Sequence, residues 1–157
     1  MTSKLDDIDL AILGSLRENA KASIKDVAKK IGVHPNTLLQ RLKKLENNGI
    51  ITKYVAEVDY SKVGYDLHVI IMMKVRRGRA GDKEQMKELL RIKELEAVYA
   101  TTGNWDLISV ARVKNREHLL EVIQRIGKNP LITKTTSHLV LFAYKNPYQF
   151  NPFVEEI

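Results

Sequence analysis

Residues 23–49 read SIKDVAKKIGVHPNTLLQRLKKLENNG, and their pattern predicts two helices joined by a short turn. Apolar side chains recur at spacings of three and four residues before and after Gly32, a residue type that favours the end of a helix. Pro35 suits the first turn of the next helix, where its missing N–H costs no hydrogen bond. The stretch therefore predicts a helix-turn-helix with helices over 23–31 and 35–48.

The second of these helices carries a continuous polar stripe opposite its leucines. The stripe consists of Asn36, Gln40, Lys43, Lys44 and Asn47, which follow helical spacing. Amide side chains can pair with adenine edges in a major groove, whereas lysines neutralise phosphates. The stripe favours a DNA-contacting face, although an ordinary solvent-facing helix has a similar composition and stays open as the alternative.

The positive charge of the chain is concentrated around this stripe. The 157 residues carry a formal net charge of +7 at pH 7, and residues 21–53 hold eight basic side chains against two acidic ones. A polyanionic partner is therefore expected to meet this segment. The sequence has no cysteine, no signal-peptide pattern and no apolar run that could span a bilayer, so we expect a cytoplasmic protein without membrane contact.

Further elements are predicted on both sides of the helix-turn-helix. Apolar side chains at helical spacing predict a helix over 6–18, and Asp6 can cap its start. After the last helix, the residues IITKYVAEVDY alternate and are rich in β-branched side chains, which predicts a strand or wing. A three-helix, winged helix-turn-helix domain over 1–50 and a linker strand over 51–66 follow from this pattern.

The remainder of the chain alternates strand and helix. The first half is predicted to contain strand 67–76, a loop over 76–81, and a helix that begins at Asp82 and holds Met86, Leu89 and Leu90. Two strands follow, over 97–102 and 107–113. The second half ends with a helix over 116–126, with Leu119, Leu120, Ile123 and Ile126 inward, and a strand over 132–144. This βαββαβ order predicts a ferredoxin-like domain of the α+β class. We assign that domain to residues 67–145 and leave 146–157 as a C-terminal tail.

One face of such a sheet has no helix to cover it. In a domain of this size the usual cover is a second copy, so the sequence predicts a homodimer built sheet to sheet. Side chains in the first strand alternate between faces, and either Ile70 or Ile71 therefore points to the open face. The two-fold symmetry of a dimer also predicts a palindromic operator.

Four stretches together resemble one family of regulators. In chain order they read DDIDLAILGSL, SIKDVAKKIGVHPNTLLQRLKKLENNGII, ATTGNWDLISV and TKTTSHLVL. They are similar to the feast/famine regulators, the Lrp/AsnC family, over essentially the whole chain. The resemblance implies a transcriptional regulator of double-stranded DNA, in which homodimers assemble into tetramers or octamers and a small amino acid acts as effector.

The resemblance also implies which residues contact DNA. Those expected at base edges are Asn36, Thr37 and Gln40, and those expected at phosphates are Arg41, Lys43 and Lys44. Arg41 has an alternative role, because it lies beside Leu42 and can pair with an acid of the first helix. His34 stands where the family usually has a serine, which predicts a weaker helix cap.

A second set of residues resembles the positions that line the family's effector cleft. These are Thr101, Thr102, Gly103, Asn104, Asp106, Thr135 and Ser137. A zwitterionic amino acid needs a carboxylate for its ammonium group, and it needs N–H or hydroxyl donors for its own carboxylate. The alternative for Gly103 and Asp106 is a plain hairpin turn, since both residue types are common in turns.

Enzymatic interpretations have less support in the sequence. The four histidines at 34, 68, 118 and 138 show no metal-ligand spacing, and no glycine-rich phosphate loop is present. We therefore expect no catalysis, no metal and no cofactor. The alternative is a sirohaem decarboxylase subunit, which shares the two-domain layout and would use His68, His118 or His138 as proton donors or propionate partners. A free-standing amino-acid sensor is a third hypothesis.

Overall fold

The computed structural model describes residues 4–76, 84 and 86–153. The chain divides into two compact units. The first unit combines the residues up to Glu57 with those from Tyr144 onward, and the second runs from Val58 to Ala143. The segment that the sequence left as a separate C-terminal tail is thus assigned to the first unit.

The first unit contains the three predicted helices. Helix α1 spans Asp7–Glu18, α2 spans Ile24–Ile31 and α3 spans Pro35–Asn47. Asp6 caps α1 as expected, and its carboxylate accepts a hydrogen bond from the backbone N–H of Asp9 at 3.0 Å. The three helices bury one apolar core, which consists of Ile12, Leu13, Val27, Ala28, Leu38 and Leu45.

The turn between α2 and α3 has the geometry that the sequence predicted. Gly32 ends α2 with a φ of 79°, in the left-handed region where a side chain would add strain. Pro35 occupies the first turn of α3. Gly32 and Pro35 thus suit the backbone positions that they occupy. The angle between the two helices is set by this short connection.

The strand predicted after α3 is wrong. Residues 52–59 are assigned to neither strand nor helix, and the chain then forms a short 3₁₀ turn over Tyr60–Val63. A strand needs a neighbour to accept and donate its backbone hydrogen bonds, and the described chain places none beside this segment. One side-chain contact does hold it to α3, because the Tyr54 hydroxyl donates to the Glu46 carboxylate at 2.8 Å.

The second unit is a four-stranded antiparallel sheet. Strand β1 spans Leu67–Val75, β2 spans Leu95–Ala100, β3 spans Leu107–Val113 and β4 spans Ile132–Leu139. The strands lie in the order β2-β3-β1-β4. Helix α4 spans Lys87–Leu90 and α5 spans Arg116–Gly127. The order confirms the predicted ferredoxin-like arrangement.

Alternation along β1 separates the two faces of this sheet. Ile71 and Met73 are fully buried in the core with Val122 and Ile126 of α5, whereas Ile70 and Met72 are only half-buried on the other face. Ile70, not Ile71, is therefore the residue that points to the open face. The open face carries an apolar group that includes Ile70, Met72, Tyr99, Ile108 and Val110.

Three details of this unit differ from the prediction. Leu120 is 56% exposed and not inward. Strand β4 ends at Leu139 instead of residue 144, because the β1 ladder ends there with the Val140 N–H donating to the His68 carbonyl. The helix predicted from Asp82 is described only over Lys87–Leu90, with Leu90 exposed, and Asp82 and most of the preceding loop lie outside the described residues.

The C-terminal segment packs against α1 through backbone acceptors. The Arg17 guanidinium donates to the carbonyls of Pro147, Tyr148 and Phe150 at 2.7–3.1 Å. The Asn151 amide donates to the Gly14 carbonyl at 3.0 Å. These contacts explain why the segment belongs to the first unit although its sequence has no helical or strand period.

In the described part of the chain, no helix is long and apolar enough to cross a membrane.

Candidate DNA-binding and effector sites

The polar stripe of α3 faces solvent. Asn36, Thr37, Gln40, Lys43 and Lys44 are all exposed, and the buried residues Leu38 and Leu45 lie on the opposite side of the same helix. Asn47 is exposed as well, so these six polar side chains take no part in the core. Except for Arg41, the structure leaves the predicted base-contacting and phosphate-contacting residues exposed on this helix.

The charge of this stripe is not neutralised within the unit. Neither Lys43 nor Lys44 forms an ion pair with any described residue, whereas Lys30 of α2 pairs with Glu18 at 2.5 Å. Unpaired ammonium groups on an exposed helix are able to release counterions from a phosphate backbone without first breaking an internal contact. The α3 surface is therefore suited to a polyanion.

His34 caps α3 in place of the expected serine. Its Nδ1 accepts a hydrogen bond from the backbone N–H of Asn36 at 3.3 Å. The imidazole thus satisfies one of the N–H groups that a helix start leaves unpaired. The substitution still leaves the first turn of α3 formed.

Arg41 takes the alternative role that the sequence left open. Its guanidinium pairs with the carboxylates of Asp6 and Asp9, and the Asp9 side chain is only 3% exposed. The hydrogen bond from Arg41 lowers the pKa of Asp6, and the same contacts raise the pKa of Arg41. This cluster holds the middle of α3 to the start of α1. We therefore treat Arg41 as a residue that positions α3.

The predicted effector residues between β2 and β3 form a tight turn. Gly103 has a φ of 96°, which a residue with a side chain would rarely adopt. The Thr101 N–H donates to the Asp106 carbonyl at 3.0 Å, and the Asp106 N–H donates to the Met73 carbonyl at 3.1 Å. The turn is thereby closed on itself and tied to β1.

Two polar side chains of this turn are used by the fold. The Asp106 carboxylate accepts from the backbone N–H of Val75 at 2.8 Å, and the Thr101 hydroxyl donates to the Trp105 carbonyl at 2.8 Å. One Asp106 oxygen is thus already engaged in holding β1, as the hairpin interpretation expected. Thr102, Gly103 and Asn104 are exposed at the tip of the turn.

The predicted residues of β4 lie near this turn by register. Thr135 pairs with Met73, which also pairs with Leu107 at the start of β3. Since neighbouring strands are about 4.8 Å apart, the backbone of Thr135 lies roughly 10 Å from the end of the turn. Ser137 pairs with Ile71, farther along the strand. The turn and Thr135 therefore share one end of the sheet, and Ser137 lies beyond it.

Sequence reasoning missed two groups of charged side chains in the second unit. Lys74 and Lys134 lie directly opposite each other on β1 and β4, with both ammonium groups close to the Trp105 ring. Glu94 is buried and pairs with His118 and Arg125 of α5. Strand register was the only signal for the first group, and it depends on a pairing that the sequence did not fix.

The two units each match a known family model. Residues 5–52 match the winged helix-turn-helix DNA-binding model, and residues 68–150 match the Lrp/AsnC ligand-binding domain. These matches fall on the helices that carry the α3 stripe and on the sheet that carries the turn. The chain is thus a DNA-binding transcriptional regulator with a ligand-binding domain.

Relatives of similar length identify the family. The chain is 30% identical to an uncharacterised HTH-type transcriptional regulator of Pyrococcus abyssi, over 94% of this chain and 99% of that protein. It is 33% identical to the HTH-type transcriptional regulator FL11 of the same organism, over 92% of this chain and 95% of FL11. The chain belongs to the Lrp/AsnC family. The predicted transcriptional function is confirmed, whereas neither relative is named as a decarboxylase.

Solved structures show the same fold. AsnC of E. coli superposes with a TM-score of 0.79 at 28% identity, over 92% of this chain and 95% of AsnC. A regulator from Neisseria meningitidis, solved as a complex with L-Met, superposes with a TM-score of 0.86 at 24% identity, over 91% of this chain and 94% of that chain. The α+β fold predicted from the sequence is therefore confirmed across both units.

Proposed function

We propose that this protein binds a palindromic operator as a homodimer and that a small amino acid changes its DNA affinity or its assembly. The exposed amide and lysine stripe of α3 carries the proposal. Asn36, Thr37 and Gln40 contact base edges in the major groove, and Lys43 and Lys44 contact phosphates. Arg41 holds α3 in place through α1.

The open sheet face supports the dimer. Ile70 and Met72 are half-buried apolar residues on a face that no described helix covers, and their neighbours across β3 are also apolar. A second copy would bury this surface, and dimers would assemble further into tetramers or octamers. The operator half-sites would then lie about 34–36 Å, or a multiple of one DNA turn, apart.

The turn between β2 and β3 supports the effector site. Thr101, Thr102, Gly103, Asn104 and Asp106 surround or form the turn, and Thr135 and Ser137 lie on the same sheet. The N. meningitidis regulator has an amino acid, L-Met, as its ligand, which makes amino acids the first class to test here. No enzymatic step and no cofactor are part of the proposal, and the protein acts in the cytoplasm with its DNA.

The DNA contacts of α3 can be tested by the salt dependence of binding. Replacing Lys43 and Lys44 by alanine should weaken binding to every duplex and reduce the slope of log K against log salt by about 1–2 per half-site. Gln40→Ala should instead cost about 1–3 kcal/mol on the preferred operator alone. Electrophoretic or fluorescence titration at several salt concentrations measures both effects.

A double variant of the second unit gives the matched control. Replacing Lys87 and Lys128 by alanine removes the same charge from residues outside the α3 stripe. This control should keep the slope of the unmodified protein. An unchanged slope in the Lys43 and Lys44 variant would mean that α3 is not the recognition helix.

A further inference from the structure

Two lysines share the open face of the sheet. Lys74 of β1 and Lys134 of β4 are partners in the antiparallel register, one position after Met73 pairs with Thr135. Opposite residues in an antiparallel pair project to the same face, and like charges in such a pair repel each other. Lys74 is half-buried, which reduces the screening of its charge by water.

Both ammonium groups lie near the ring of Trp105. The Lys74 Nζ is 6.0 Å and the Lys134 Nζ is 5.7 Å from the ring centroid. At about 6 Å a cation–π contact is at the far end of its favourable range, so the ring offsets only part of the repulsion between the two lysines. The pair therefore remains a focus of positive charge.

No acid of the described chain neutralises this pair. None of the ion pairs between described residues includes Lys74 or Lys134. Asp106 follows Trp105 directly, but one of its carboxylate oxygens accepts from the Val75 N–H. The backbone N–H groups at the tip of the turn, at residues 102–105, also donate to no described residue. Unpaired N–H donors and the two lysines thus lie at the same end of the sheet.

We propose that Lys74, Lys134 and Trp105 form a carboxylate-binding site and that the effector of this regulator is an acidic amino acid. This assignment rests on the effector response proposed above. A carboxylate has two acceptor oxygens, one for each ammonium group, and its negative charge removes the repulsion between the lysines. The indole ring supplies an apolar surface for the methylene groups of the same ligand.

Trp105 provides the readout, because it is the only tryptophan of the chain. The full-length protein is titrated with sodium L-glutamate and, separately, with L-glutamine, at one ionic strength held with sodium chloride. Glutamate should change the Trp105 emission in a saturable way. Glutamine, which has the same shape without the side-chain charge, should bind about tenfold more weakly or worse, the loss expected for a charge-assisted hydrogen bond.

Lysine variants test the contacts themselves. Lys74→Met and Lys134→Met keep the aliphatic length of the side chain and should each weaken glutamate binding about tenfold. Lys128→Met, on an exposed residue after α5, should bind glutamate as the unmodified protein does. Circular dichroism confirms that each variant is folded, and calorimetry measures glutamate binding independently of the indole.

Five results would overturn the assignment. Equal affinity for glutamate and glutamine would exclude recognition of a side-chain carboxylate, and unchanged affinity in both lysine variants would exclude a carboxylate site at these residues. A lower salt slope of DNA binding in the lysine variants would assign the pair to DNA phosphates instead. If another amino acid shifts operator binding while glutamate does not bind, the acidic effector is wrong but the proposed regulation holds. If none of the twenty amino acids shifts operator binding, the proposed regulation fails as well.

Discussion

Helix α3 and the turn between β2 and β3 use their polar residues in different ways. On α3, Gln40, Lys43 and Lys44 point to solvent and make no contact that the fold requires. In the turn, the Asp106 carboxylate accepts a hydrogen bond from the backbone of β1, and the Thr101 hydroxyl donates one to the backbone of the turn itself. A candidate binding surface can therefore be separated from the fold in the first unit, whereas in the second unit two of the candidate effector residues also hold the fold.

The difference follows from the geometry of the two elements. A helix satisfies its own backbone hydrogen bonds, so the residues on its outer face are free for a partner. A tight turn at the end of a sheet leaves backbone groups outside the strand ladder, and nearby side chains pair with some of them, as Thr101 does with the Trp105 carbonyl. Substitutions of Gln40, Lys43 and Lys44 should consequently change binding alone, and substitutions around the turn should also change stability.

The largest effect is expected at the core of the sheet unit. Ile71→Glu places a charge at a position that is 0% exposed, which should cost more than about 4 kcal/mol and unfold this unit. Ile70→Glu, one residue earlier, places the charge on the open face and should leave the sheet folded while it separates the dimer. Circular dichroism and light scattering distinguish the two outcomes.

This pair of variants tests the proposed dimer directly. The unmodified protein is the control and should be a dimer or a larger even-numbered assembly at micromolar concentration. A stable monomer of the unmodified protein would contradict the assembly. An Ile70→Glu variant that keeps the size of the unmodified protein would place the interface elsewhere.

A buried ion cluster should give the next largest effect. The Glu94 side chain is 3% exposed and pairs with Arg125 at 2.9 Å and with His118 at 3.2 Å. Burial alone would raise the pKa of Glu94, but hydrogen bonds from its own backbone N–H, His118 and Arg125 outweigh burial and lower it. Glu94→Gln removes the negative charge opposite Arg125, whose side chain is 41% exposed, and should lower the free energy of unfolding by about 1–2 kcal/mol near neutral pH.

The pH dependence of this cluster has a definite sign. A lowered pKa means that the folded state favours the ionised Glu94, so its stabilisation is present above the ordinary value of 4.5 and is lost as the pH falls through the folded value. The stability gap between the unmodified protein and Glu94→Gln should therefore shrink below about pH 4.5. Urea unfolding at several pH values measures the gap. Glu121→Gln, at an exposed position on α5, should show no such trend.

The sequence predicted elements that its local pattern determines. Helical spacing, together with Asp6, Gly32 and Pro35, predicted the three helices of the first unit, and short apolar or alternating runs predicted the four strands. The strand predicted from residue 51 was wrong because a β-rich pattern does not state whether a neighbouring strand exists. Contacts between distant residues were likewise invisible, as in the Arg17 contacts to the C-terminal carbonyls.

The candidate sites show the same limit. The α3 stripe follows from one helical period, and the structure finds its members exposed as expected. The lysine pair near Trp105 needs the β1 and β4 register, which joins residues 60 positions apart in the chain. Periodicity within one segment cannot supply that register, since a shift by one residue would move every side chain to the other face.

The smallest effect is expected at Arg41, the residue that lies between the two kinds of role. It belongs to the predicted DNA-binding set, yet it pairs with Asp6 and Asp9 as a fold residue does. Arg41→Gln should lower the free energy of unfolding near neutral pH, and this difference should vanish in acid. The pKa of Asp6 is lowered in the folded state, so its ion pair with Arg41 stabilises the fold above the ordinary pKa of 3.8. That stabilisation is lost as the pH falls through the pKa of Asp6 in the folded protein.

The same variant should leave the salt dependence of DNA binding unchanged. A lost phosphate contact would lower the slope of log K against log salt by about 0.9, which titration at four or more salt concentrations resolves. Lys43→Ala is the matched comparison on the same helix and should show that decrease. Asp6→Asn removes the main partner of the guanidinium and serves as the control. If Arg41→Gln lowers the salt slope and Asp6→Asn does not, Arg41 contacts phosphate. The separation between fold residues and binding residues on α3 would then be incomplete.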